Sequence, residues 1–238
     1  MPLPKISNPI HNIKIPSSGN KIPVRQMTIK DEKILLVAKE SDDDTDRQGA
    51  ILQVINNCVM EDGFDVNTLT MFDVEYLFLK IRALSVSNKV ELSITEFDDD
   101  GNKITDHPFS IDLNDVDIKK ADEEVENKVI LDDIIIELKY PTMEMYTSNE
   151  YKNAETDSNV MSIILKHSIA SVYQGDRSFQ FTLDEAGEFI EQLPASSFEK
   201  ITKFFQNQPS LFYELSYKDS KGKKQKQELT SLSDFFIF

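Results

Sequence analysis

The sequence predicts an α+β fold, mainly helical with small antiparallel β-hairpins, including one towards each end of the chain. Two recurring patterns predict it. A Ser or Thr followed three residues later by an acid stands ahead of apolar stripes at helical spacing, at Thr28–Asp31, Thr70–Asp73, Thr182–Glu185 and Ser196–Glu199. At that spacing the two side chains can satisfy the backbone donors that a helix start leaves free. Elsewhere apolar and polar residues alternate on either side of turn residues, the period of a half-buried strand.

In chain order, Ile13 and Ile15 alternate with polar neighbours, Ser17-Ser18-Gly19-Asn20 supplies a turn, and Ile22 and Val24 alternate on the return. Pro16 and Pro23 confine these strands to sheet edges, because neither can donate a ladder hydrogen bond. Ile34, Leu35 and Ala38 form the face of a first helix. After the acidic break Ser41-Asp42-Asp43-Asp44, Ile51, Val54, Ile55, Cys58 and Val59 form the next. Phe72, Tyr76, Leu77, Leu79, Lys80, Ile81 and Leu84 give a third helix, apolar around much of its circumference and therefore the most buried. Arg82 then needs an acidic partner, Glu75 or an acid elsewhere.

The middle changes character. Val90 to Ile94 alternates, Asp98 to Asn102 turns, and Phe109 to Leu113 alternates again. A second strand-rich piece runs from Val129 to Tyr140, where Tyr140-Pro141 closes it, because the residue before proline is pushed towards extended geometry. Thr147 to Asp157 is polar and reads as a linker. The chain then divides into 1–146, with the hairpin, helical block and strand-rich insertion, the linker 147–157, and a helical region with a final hairpin over 158–238. In that last part Val160, Met161, Ile164, Leu165, Ser168, Ile169 and Val172 form one stripe. Phe189, Ile190 and Leu193 form another, and Phe198, Ile201, Phe204 and Phe205 a third, stopped by Pro209. Phe212 to Tyr217 and Gln225 to Leu229 flank the basic turn Lys221-Gly222-Lys223-Lys224. The order helix, hairpin around a glycine (Gly101, Gly222), short acidic-capped segment occurs twice, an echo that a duplication would leave.

The net charge of −16 disfavours binding to nucleic acid through phosphate neutralisation. The charge is unevenly spread. Residues 1–40 carry seven Lys/Arg against three acids and 198–238 seven against five, whereas 41–160 carry ten against 29. Solvated faces account for such a distribution, and so does steering of partners. With one cysteine, Cys58, no internal disulfide framework or Cys-based zinc site is possible. Cys58 sits on the apolar side of its helix and reads as core. No run reaches membrane-spanning length, so a cytoplasmic protein is expected.

Candidate reactive sites fail one after another. Glu96, Asp98, Asp100 and Gly101 match the start of a calcium loop, but its twelfth position is His107 and strands flank it. His11, His107 and His167 lie far apart without metal-ligand spacing. The seven glycines form no phosphate loop, and no nucleophile elbow occurs. Paired carboxylates such as Glu123-Glu124 and Asp132-Asp133 lie in polar runs rather than apolar pockets. Two features suit binding. The end Phe235-Phe236-Ile237-Phe238 is compact and apolar where chains normally fray, and either tucks into its own domain or docks on a partner. Met143, Met145 and Tyr146 are adaptable residues that suit either a binding surface or core filling.

Several segments together resemble a known family: Met1 to Lys5 with its hairpin, Lys33 to Ser41, Thr70 to Val86, Leu138 to Pro141, Phe204 to Pro209 and Leu232 to Phe236. In this order the chain is similar to the T4-like bacteriophage baseplate hub family, which includes a hub subunit and a hub-assembly factor. Thr70 to Val86 is its most specific block. The resemblance implies no enzymatic activity, and a role in building the tail baseplate hub as structural subunit or assembly chaperone. Its partners would be other tail and baseplate proteins, with no nucleic acid and no membrane, in the host cytoplasm during assembly or in the virion. Many relatives carry cysteine pairs in the two hairpins, suggesting zinc knuckles. The matching stretches here, Ile94 to Ile104 and Tyr217 to Lys226, hold none. No metal or cofactor is therefore expected. The competing readings are a carboxylate-dependent enzyme and a cytoplasmic adaptor unrelated to phage tails. Metal analysis of the purified protein is expected to find no zinc at stoichiometric level.

Overall fold

The computed structural model describes residues 7–121 and 125–236; Met1 to Lys5, the Glu123-Glu124 pair, Ile237 and Phe238 lie outside them. Among the described residues two units form, one from 7–66, 72–119 and 210–236, the other from 67–71, 120–121 and 125–209.

In the first unit, the alternation around Gly19 becomes a hairpin of β1 (Ile10–Lys14) and β2 (Lys21–Arg25), with Ile13 opposite Ile22. Gly19 takes φ 72°, a conformation that costs glycine little. Helices α1 (Ile29–Lys39) and α2 (Asp44–Cys58) follow, then a 3-10 turn and α3 (Met71–Ser85). Phe72, Val74, Leu77, Phe78, Leu79 and Ile81 of α3 are all buried. The capping box at Thr28 forms, but its acid does more than close a helix end. Asp31, 1% exposed, accepts from the Thr28 amide and hydroxyl at 2.8 Å each, from Arg25 Nη1 at 2.8 Å and from Asn57 Nδ2 at 3.1 Å. One carboxylate therefore joins β2, α1 and α2. The buried Asp73 accepts from the Ser17 amide at 2.9 Å, which fastens the hairpin turn to α3. Arg82 faces Glu32 across 3.5 Å, an acid of α1 rather than Glu75.

Strands β3 (Lys89–Phe97) and β4 (Lys103–Asp112) form the middle hairpin, and β5 (Asp117–Lys119) follows. The loop before β5 is wrapped around the Lys80 ammonium, which donates to the carbonyls of Leu113 (3.0 Å), Asn114 (3.0 Å) and Val116 (2.8 Å).

The second unit opens with β6 (Lys128–Leu131) and β7 (Ile134–Leu138), turned by Asp132 at φ 49°. Helices α4 (Met143–Thr147), α5 (Asn149–Lys152) and α6 (Asp157–His167) occupy the stretch read from sequence as a linker and its borders. Then come β8 (Ile169–Gln174), β9 (Arg177–Phe179), α7 (Leu183–Glu191) and α8 (Ala195–Gln206). The sheet order is β6-β7-β8-β9, and its core gathers Val129, Ile136, Leu138, Leu165, Ile169 and Val172 with Ile201 and Phe204. Tyr140 stacks on Phe204 with centroids 4.5 Å apart.

The chain returns to the first unit as β10 (Ser210–Lys218), β11 (Lys224–Leu229) and α9 (Leu232–Phe235). β10 pairs with both β11 and β5. In α9, Ser231 and Asp234 form a capping box, Phe235 is fully buried, and the Phe236 ring meets Phe78 edge-on at 6.1 Å.

One expectation is overturned. Helix makes up 39% and strand 30%, with eleven strands in four antiparallel sheets among the described residues, so the chain is a balanced α+β protein rather than a mainly helical one. The error lies chiefly at Ile169 and Val172, whose three-residue spacing extends the α6 stripe. They lie instead in a strand, where Ile169 pairs with Leu138 and Val172 with Ile136. Ser168 ends the helix and its hydroxyl takes up the Ile164 carbonyl. The box at Ser196 also shifts, because α8 already starts at Ala195 behind Pro194.

Two carboxyls should make stability depend on pH in opposite senses. Burial pushes the Asp31 carboxyl up, but hydrogen bonds from Arg25 and Thr28 outweigh it and hold it at about 2. A depressed acid contributes above its unfolded value and loses that contribution as pH falls through about 4 to 2. Asp31→Asn is therefore expected to cost about 2 kcal/mol at neutral pH by urea unfolding, with the difference vanishing in acid. Glu75 behaves oppositely. Its burial pushes it up, the Leu232 amide (3.4 Å) lowers it, and the Asp234 carboxylate raises it, leaving it at about 7. The folded chain then favours the neutral carboxyl, and the cost of ionising it grows as pH rises from about 4.5 to 7. Glu75→Gln should match the parent near pH ~4 and exceed it by roughly 2 kcal/mol near pH ~8 in the same assay.

Candidate functional site

The residues singled out for binding fall into different surroundings. Met143 and Met145 are fully buried, on a helix whose first amide bonds to the Leu69 carbonyl at 2.8 Å. Tyr146 is half-buried, with its ring edge-on to Tyr151 at 5.3 Å. Phe235 is enclosed, Phe236 keeps part of its surface, and Ile237 and Phe238 lie outside the described residues. Of the described members, Tyr146 and Phe236 keep accessible area.

The densest polar cluster lies in the first unit, where the turn after β10 meets the end of β3. Glu96 Oε2 is 3.0 Å from His107 Nε2, and the Ser220 hydroxyl donates to Glu96 Oε1 at 2.6 Å. The Ser220 amide adds a bond at 3.0 Å, and the His107 ring lies 4.5 Å from that of Tyr217. Hydrogen bonds from Ser220 and His107 hold the Glu96 carboxyl below its usual range. A serine nucleophile needs its hydroxyl against a base such as imidazole. Here hydroxyl and imidazole both bond to the carboxylate, so the geometry fastens one hairpin to the other.

The two hairpin turns close alike. Asp98 accepts from the amides of Asp100 (3.0 Å) and Asn102 (2.7 Å), and Asp219 from those of Lys221 (3.0 Å) and Lys223 (2.8 Å). Gly101 at φ 82° and Gly222 at φ 78° occupy matching places. Of the residues that suggested a calcium loop, Asp98 and Gly101 are thus engaged in turn closure and Glu96 in the link to Ser220 and His107. Among the described residues no group of three or more His, Cys, Asp and Glu is placed to hold a metal ion. Cys58 is buried, and burial pushes its thiol up to about 11, which disfavours the thiolate.

Sequence reasoning missed two apolar hollows in the second unit, on either side of α7. One, of about 360 Å³, is lined by Ile134, Val172, Phe179, Phe181 and Phe189, with Glu185 beside them. The other, of about 440 Å³, runs between α6 and α8 and is lined by Met161, Leu165, Ile190, Leu193, Phe198 and Ile201. Met161 (40% exposed) and Phe198 (48%) belong to stripes read as core, and periodicity alone does not reveal that a stripe is only half covered.

No helix among the described residues is long and apolar enough to cross a membrane. Searches of curated proteins and of solved structures yield no match. The family model described as T4 bacteriophage base plate protein matches residues 8–237, from the first hairpin to beyond the short α9. With nearly the whole chain covered, this protein belongs to the T4 bacteriophage base plate protein family.

Proposed function

We propose that the chain is a non-enzymatic protein of the baseplate hub, acting through protein–protein binding as a structural subunit or as an assembly chaperone. The family match over residues 8–237 carries this reading. The chemistry of the polar groups supports it. Asp31, Lys80, Glu96, Asp98 and Asp219 each spend their hydrogen-bonding capacity on backbone or side chains that fix turns and helix starts. The partners are other tail and baseplate proteins, met in the host cytoplasm during assembly and, for a subunit, kept in the virion. The net charge of −16 favours protein partners over nucleic acid. Tyr146 and Phe236 are the surfaces for contact among the described residues of the group singled out by sequence.

Affinity capture of the tagged chain from infected cells, together with mass spectrometry of mature particles, tests the reading. Capture of baseplate proteins with stoichiometric presence in the particle identifies a subunit. The same capture with absence from the particle identifies a chaperone. A chain that captures no tail protein and is missing from particles would overturn both.

A further inference from the structure

Six of the eleven residues of helix α1 are apolar, yet only part of them is covered. Ala38 is buried and Ile34 and Leu35 are half-buried, while Ile29, Leu36 and Val37 are 79%, 59% and 70% exposed. At 3.6 residues per turn these three share one stripe with Lys33, at steps of four, seven and eight from Ile29, and Lys30 borders it. Both lysines are exposed. Of the nearby acids, Asp31 is buried against Arg25 and Glu32 lies beside Arg82, while Glu40, the C-cap, is exposed one turn beyond Leu36 and Val37. The result is a solvent-facing apolar stripe whose N-terminal half carries the cations Lys30 and Lys33.

The trough between α6 and α8 has the opposite character. Met161 and Phe198 line it and are exposed, and Ile190 and Leu193 line it with them. Helix α7 carries Asp184, Glu188 and Glu191, all exposed and at helical steps of four and three, with no basic residue between Leu183 and Glu191. Glu191 itself lines the trough. Its α6 wall, from Ser158 to Leu165, is about 10 Å long, and the α1 stripe from Ile29 to Val37 about 12 Å. The two surfaces match in length, in apolar character and in sign of charge.

We infer that the α6–α8 trough of one copy receives the exposed α1 face of a second copy, with Leu36 and Val37 against Met161 and Phe198 and with Lys30 and Lys33 along the acidic edge of α7. Such a contact joins two different patches, so repetition gives a ring where the rotation closes and a filament where it does not. Its charged border is solvent-exposed, so the association weakens as salt screens it.

The test is sedimentation velocity of the full chain over about 1–200 µM at low and high salt. Self-association that grows with concentration and falls with salt is expected. Leu36→Ser with Val37→Ser should abolish it, with the circular dichroism spectrum unchanged because both positions are exposed. Lys30→Glu with Lys33→Glu, and separately Glu188→Lys with Glu191→Lys, should each weaken it by roughly tenfold or more, while a mixture of the two charge-reversed proteins recovers assembly. A chain that stays monomeric throughout overturns the inference, as does assembly that ignores the trough substitutions, or docking of α1 on the trough within a single copy. A monomer that still captures baseplate proteins would sink this contact and leave the tail-assembly reading standing.

Discussion

A charged carboxylate withdrawn from water costs several kcal/mol unless its oxygens are bonded, and Asp31 meets that demand by drawing on three segments at once. Arg25 ends β2, Thr28 starts α1 and Asn57 stands in the last turn of α2. None of these partners suffices alone, so the hairpin, the helix start and the second helix form together or leave a buried charge exposed to its full penalty. Asp73 extends the constraint, because its bond to the Ser17 amide holds the far end of the same hairpin against α3. A two-stranded hairpin is marginal in water by itself. β1 and β2 are held by burial of Ile13, Ile22 and Val24, and polar groups of α1, α2 and α3 anchor both their open end and their turn.

The same economy of short polar ties appears in the other two hairpins of that unit. Asp98 and Asp219 fold their turns inward by accepting amides two and four residues on, which fixes loop conformation without apolar burial. Lys80 does with a cation what these aspartates do with an anion. Its ammonium gathers three carbonyls of the segment leading into β5, which then pairs with Ser210 to Phe212 of β10. Glu96 links one hairpin to the turn of the other through Ser220. The acids that the sequence scattered through polar runs are in large part conformational locks.

Sequence patterns revealed those elements whose signal is local. The boxes at Thr28 and Thr182 mark true helix starts, and the hairpins around Gly19, Gly101 and Gly222 are where alternation puts them. Signals failed where a pattern served two structures. Ile169 and Val172 stand at helical spacing, and only β7 alongside, paired with a register shift at Glu137 and Leu138, draws both into a strand. β5 and β9 are three residues each, too short for any period to register. Arg82 announced that it needed an acid, but its partner Glu32 lies fifty residues away on α1, a pairing that no local spacing encodes. Of the surface proposed for contact, Met143 and Met145 are withdrawn from it, since composition reports softness and not exposure.

That last distinction also governs the apolar surface that is exposed. The apolar run Ile34 to Ala38 of α1 reads as interior, and α1 is interior only along Asp31, Ala38 and their neighbours. With −16 overall, long-range repulsion keeps copies of the chain apart unless opposite local charges meet in register. Lysines beside the exposed leucine and valine of α1, and acids beside the exposed methionine and phenylalanine of the trough, make apolar contact available in one orientation and penalise the rest. Exposed apolar residues of this kind would be an aggregation hazard on a neutral surface. On this one they acquire direction, because the surrounding charge selects which apolar patch another patch can approach.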